Sequence, residues 1–142
     1  MELNIPAQPN KKQKAALFIP LVIIATMVIR TWVVLLSAGY ISSWRHYTAP
    51  LLFIPVVYLA FTNYPKALIG TGIYLLLASS NLLSLTAEIS SLMDITIAGI
   101  NIPTPPLQLS ALGVLLLFLV LNWGTLDEMY LDYKEAREKK NN

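Results

Sequence analysis

The chain contains no cysteine and a single histidine, His46. Without thiols there is no disulfide, no thiolate metal site and no cysteine nucleophile, and the redox compartment is left open. One imidazole cannot hold a metal alone, and no second ligand sits at helical spacing from it. Charge is also scarce: 13% of residues are Asp, Glu, Lys or Arg, against 56% hydrophobic. A soluble domain carries about a quarter charged. So little polar surface cannot cover a water-soluble globule, and lipid is expected to cover it instead. The few cations gather in short terminal clusters with no interleaved aromatic platform, which excludes a nucleic-acid surface. There is no P-loop, dinucleotide fingerprint, HExxH or G-x-S-x-G setting, and no internal repeat.

What is present is a series of apolar runs. Residues 1–14, with Pro6 and Pro9 among polar side chains, read as a disordered cytoplasmic tail. Residues 15–38 are long enough for a helix across a hydrocarbon core of ~30 Å. Lys11, Lys12 and Lys14 before it imitate a secretory signal. The run is too long for a signal core and holds Arg30, so it reads as a retained first helix. Residues 48–63 predict a short second helix, interrupted by Pro50 and kinked at Pro55.

The turn Asn63-Tyr64-Pro65-Lys66 leads into a third helix over 67–87. Its Gly70, Gly72, Ala78, Ser79 and Ser80 are residue types that closely packed membrane helices place at their contacts. This helix is expected to be the most buried. Residues 88–106 form the one long connection, where Ile95-Thr96-Ile97 and Ile100-Asn101-Ile102 alternate about Ala98-Gly99 as a small β-hairpin does. A fourth helix follows over 107–123. Beyond Gly124 the chain turns charged, with Leu126, Tyr130, Tyr133 and Arg137 at helical spacing.

The expected fold is therefore an all-α membrane protein with four transmembrane helices over 15–123. A small extracytoplasmic β-hairpin joins helices 3 and 4, and a cytoplasmic charged amphipathic helix or tail covers 124–142. Lys11, Lys12, Lys14, Lys66, Lys134, Arg137, Lys139 and Lys140 fall on one side of this layout and Arg45 on the other. The positive-inside bias then puts both termini in the cytoplasm, with the protein multi-pass in the cytoplasmic membrane.

Arg30 is the outstanding candidate for chemistry, because a charge within a membrane helix costs at least ~2.5 kcal/mol. Asn81 and Ser84 reach a similar depth on the third helix, and Glu88 marks its outer end. Together they suggest a pocket for an anionic group such as a lipid phosphate. The competing reading is that Arg30 snorkels outward, pairing with Glu88 or a headgroup and locking helix 1 to helix 3. Trp44, Arg45, His46 and Tyr47 read as interface anchors at headgroup level.

No catalytic set emerges. Glu88 and Asp94 have the types for an acid–base pair but read more simply as solvated loop charges. No Asp or Glu is embedded, which argues against a proton-driven pump. The sequence calls for no cofactor and no metal. The leading expectation is a non-enzymatic accessory subunit or oligomer-forming component, with the bilayer, a homo-oligomer or membrane-protein partner and an anionic lipid as its contacts. The alternatives are a transporter or channel for an anionic or amphipathic solute using Arg30, and a lipid-handling enzyme.

Overall fold

The computed structural model describes residues 9–39, 43–87, 94–97, 100–103 and 108–141. Four helices make up the body: α1 (Lys11–Ala38), α2 (Trp44–Thr62), α3 (Tyr64–Ser79) and α4 (Leu109–Asn141). Their substantial contacts run α1–α2, α2–α3, α3–α4 and α4–α1, closing a four-helix bundle. Two short strands, β1 (Asp94–Ile97) and β2 (Ile100–Pro103), pair antiparallel with Asp94 opposite Pro103 and Ile97 opposite Ile100. Among the described residues no helix packs substantially on them.

Each boundary has a local cause. α1 begins at Lys11 rather than at 15 because Asn10 caps it. Asn10 Oδ1 accepts from the Gln13 N–H at 2.8 Å, and Gln13 Oε1 accepts from the Asn10 N–H at 2.9 Å, a reciprocal capping box. Gly39 closes α1 in the left-handed region at φ 64°. Asn63 caps α3 by accepting from the Lys66 N–H at 3.2 Å. α4 continues through Gly124 into the charged segment as one helix.

The core lies along facing stripes. Leu17, Leu21, Ile24 and Val28 recur at steps of four, three and four on α1. They share one buried cluster with Ala111, Val114, Leu115 and Phe118 of α4 and Leu68, Leu75 and Ala78 of α3. Gly70 and Gly72 do not mark a closest approach of backbones. A Cβ on Gly72 would meet the Phe118 ring at 3.5 Å, and one on Gly70 would meet Val56 and Leu59 at 3.8 Å, ordinary contacts.

The expected fold class needs correction on the membrane spans. Among the described residues two helices, not four, are long and apolar enough to cross a membrane: Lys11–Ala38 and Leu109–Glu135. The 16 residues of α3 rise only about 24 Å, short of a ~30 Å core. α2 carries Arg45 and His46 in its first turn. Nor is a hairpin a layer of the architecture, which is all-α. The turn at 98–99 and residues 88–93 and 104–106 of the expected connection lie outside the described residues. Helix 3 also ends earlier than expected, at Ser79 instead of 87.

Candidate functional site

Past Ser79 the chain leaves the helix and threads residues 80–87 among α1, α2 and α4. The last turn of α3 is closed by the Ser80 N–H to the Leu76 carbonyl at 3.1 Å and the Leu82 N–H to the Leu77 carbonyl at 2.9 Å. Asn81 sits between them at φ 58°, a left-handed position that Asn tolerates better than most residues. Non-helical backbone in so apolar a molecule leaves donors and acceptors open, and each must find a partner. The surrounding side chains supply them.

Thr86 is the hub. Its carbonyl accepts from Ser84 Oγ at 2.9 Å and lies 3.2 Å from His46 Nε2, while its hydroxyl accepts from Gln108 Nε2 at 3.3 Å. Gln108 Oε1 accepts from the Leu85 N–H at 3.1 Å, and the Gln108 N–H reaches the Ser79 carbonyl at 3.0 Å. The Thr31 hydroxyl donates to the Leu85 carbonyl at 2.7 Å, and the Ser84 N–H donates to the Arg45 carbonyl at 3.2 Å. All four helices are tied to this one segment.

The hydrogen-bond pattern fixes the tautomer of His46. The Ser43 N–H donates to Nδ1 at 3.1 Å, so Nδ1 carries no proton and Nε2–H is the donor to Thr86. The buried ring thus bridges the start of α2 to the unwound segment.

The expected pocket residues do not form one cluster. Asn81 and Ser84 are buried at the knot. Arg30 is exposed on α1 beside Thr31, and among the described residues no hydrogen bond or ion pair joins it to Asn81 or Ser84. Glu88 lies outside the described residues. Asn81 is 4% exposed, and its Nδ2 has no hydrogen-bond partner. Of the four expected anchors, Trp44 and Tyr47 are exposed and His46 is buried. The Arg45 guanidinium lies 5.8 Å from the Trp44 ring centroid. Tyr47 meets Trp32 edge-on at 5.1 Å.

Thr31, Ser43, Thr86 and Gln108 were not singled out from the sequence. Two of them left a signal. Thr31 is the polar member of the buried stripe of α1, between Val28 and Leu35. Gln108 stands at the cap position between a proline-rich stretch and a leucine-rich helix.

A second set of polar links closes the opposite end. Pro20 has no N–H, so the Ala16 carbonyl loses its helical partner. Asn122 Nδ2 of α4 takes its place at 3.0 Å and also reaches the Phe118 carbonyl at 3.0 Å. The Tyr64 hydroxyl donates to the Gln13 carbonyl at 3.2 Å. Beside it a cleft of about 200 Å³ is lined by Pro9, Gln13, Tyr64, Thr125, Glu128, Met129 and Asp132. Burial pushes the Tyr64 phenol up from its usual range; a hydrogen bond with Thr125 opposes this and the Glu128 carboxylate adds to it. Among the described residues no three His, Asp or Glu side chains gather to hold a metal.

Comparison with family models, with curated proteins and with solved structures finds no match to this chain.

Proposed function

We propose that the chain is a small integral membrane protein acting as a non-enzymatic component of a membrane assembly, either as an accessory subunit or as a self-associating unit. One observation carries the membrane reading. Large apolar side chains point outward on every helix, as at Val22 (61% exposed), Ile54 (66%) and Val120 (75%). Water around such a surface would cost about 25 cal/mol for each Å² left exposed, whereas lipid accepts it. Only 33% and 28% of the two candidate spans are buried within the molecule, unlike core helices of a soluble protein. α1 and α4 cross the bilayer, and the shorter α2–α3 pair packs beside them.

The exposed Lys11, Lys12, Lys14 and Lys66 support a cytoplasmic placement of the end that holds them. The Tyr64–Gln13 hydrogen bond joins the starts of α1 and α3 at that end. α1 and α4 run antiparallel, since Asn122 meets Ala16 at one level and Leu85 bonds both Thr31 and Gln108 at the other, which supports both termini on the same side. The non-enzymatic reading rests on the knot, whose buried side chains are mostly engaged with the backbone of Leu85 and Thr86. The test is alkaline carbonate extraction of membranes from expressing cells, followed by native mass spectrometry in mild detergent. Retention in the pellet with a defined oligomer or co-purifying subunit is expected; release into the supernatant contradicts the membrane reading, and a bare monomer contradicts the assembly reading.

One observation favours a second reading, transport of an anionic solute: the buried, unpartnered Asn81 Nδ2 is a donor available to an acceptor group. Anion flux into liposomes that falls in both Arg30→Leu and Asn81→Gly would establish it. Unchanged flux in both variants would remove it.

A further inference from the structure

We infer that this protein fits a bilayer thinner than average, one of short acyl chains; the inference rests on the membrane reading above. Two polar levels bound the bundle, and side-chain links fix both. At one level the Thr31 hydroxyl meets the Leu85 carbonyl, His46 meets Thr86, and the Gln108 N–H meets the Ser79 carbonyl. Here α3 has ended, α4 has just begun and α2 is in its first turn. Exposed Trp44 and Tyr47 stand at this level, with Arg45 against Trp44 and Arg30 on the adjoining turn of α1. Aromatic rings flanked by cations belong to the headgroup region.

At the other level Asn122 meets Ala16 and Tyr64 meets Gln13. Exposed Trp123 and Tyr58 stand near it, with exposed Lys14 and Lys66.

The distance between the levels follows from helical rise. Along α1, Lys14 to Arg30 spans about 24 Å, and Ala16 to Thr31 about 22 Å. Along α4, Leu109 to Asp127 spans about 27 Å. Tilt shortens each of these projections. A typical hydrocarbon core of ~30 Å exceeds them all, so it must thin around the protein or leave the exposed Arg30 and Ser80 in contact with acyl chains. A thinner bilayer removes that conflict. α1 continues beyond Thr31 to Ala38.

The experiment reconstitutes the purified full chain into phosphatidylcholine vesicles whose monounsaturated chains run from 14 to 22 carbons. Thermal unfolding is followed by circular dichroism. The midpoint is expected to be highest at 14 carbons and about 10 °C lower at the longest chains, because mismatch costs accumulate with each Å. Arg30→Leu, which removes the charge at the upper level, is expected to move the optimum to longer chains. A wild-type maximum at 18 carbons or beyond overturns the inference, and the wild-type series decides even where the variant does not fold. Flotation on a density gradient separates this from the reading beneath it. A chain that floats with no vesicle overturns the membrane reading itself; one that floats with all of them but prefers long chains overturns only the thickness.

Discussion

Asn122 and Pro20 form a pair that neither residue announces alone. An Asn in a span of leucine and valine costs free energy unless its amide is used, and a proline inside a helix strands a carbonyl four residues back. The two deficits meet at the Ala16 carbonyl. Asn122 Oδ1 remains buried without a partner, so removing the side chain also removes one unsatisfied atom. Asn122→Leu is therefore expected to destabilise by only about 1 kcal/mol. Pro20→Ala returns an N–H to the Ala16 carbonyl, so the same substitution in that background is expected to cost less. A double-mutant cycle by reversible unfolding in mixed micelles reads this coupling, and strict additivity would show that the link does not bear on stability.

Tyr64 gives a second test at this scale. Its phenol is raised from 10.0, chiefly by burial, so the folded protein holds the proton more tightly than the unfolded chain. The associated stability is present below pH about 10 and is lost as pH rises through the folded value. Wild type is expected to lose its advantage over Tyr64→Phe across that alkaline range. A constant difference between the two proteins would contradict the assignment. His46 was legible as a special residue but its place was not. The aromatic and cationic neighbours Trp44, Arg45 and Tyr47 suggested a ring at the interface, yet helical geometry turns position 46 inward while 44 and 47 face out.

Among the elements, the segment 80–87 carries the most consequence. Sequence pattern extended helix 3 to 87 because Leu82, Leu83 and Leu85 keep the hydropathy high. The stop comes instead from a run of Ser79, Ser80 and Asn81, whose short polar side chains compete for the backbone and tolerate the left-handed turn. Ser79 and Ser80 do bond back to the Leu76 carbonyl, at 2.9 and 2.7 Å. Asn81 at φ 58° is the pivot. Asn81→Gly frees that conformation and deletes a buried donor, so stability is expected to hold or rise. Asn81→Ala deletes the donor but keeps a Cβ at positive φ, and is expected to unfold about 1 kcal/mol more easily than the Gly variant. Chemical denaturation of the two variants side by side checks the order, and the reverse order would remove the pivot. The starts of α1 and α3 were more legible, since Asn10 and Asn63 are ordinary cap residues. The fourth helix was expected over 107–123 with the charged segment beyond Gly124, but a single glycine weakens a helix without ending it.

For the whole molecule, the apolar excess of the sequence translates into a bundle that exposes large apolar side chains on every helix. On the proposed membrane reading, the polar knot and the Asn122 link hold the helices together where hydrophobic burial alone offers little preference between neighbour and lipid. The all-helical class was readable from the long apolar runs. The number of helices able to cross was not, because apolar content does not measure the helix length that remains after Asn81 ends α3 and after Arg45 and His46 occupy the start of α2. The absence of cysteine makes the central claim directly testable. Nitroxide labels at Val22→Cys, Ile54→Cys and Val120→Cys, in protein reconstituted into vesicles, report by electron paramagnetic resonance which medium touches each face. The account predicts high collision rates with dissolved oxygen and low rates with a water-soluble nickel chelate at all three positions. High nickel accessibility at these positions would place the outward apolar faces in water and contradict it.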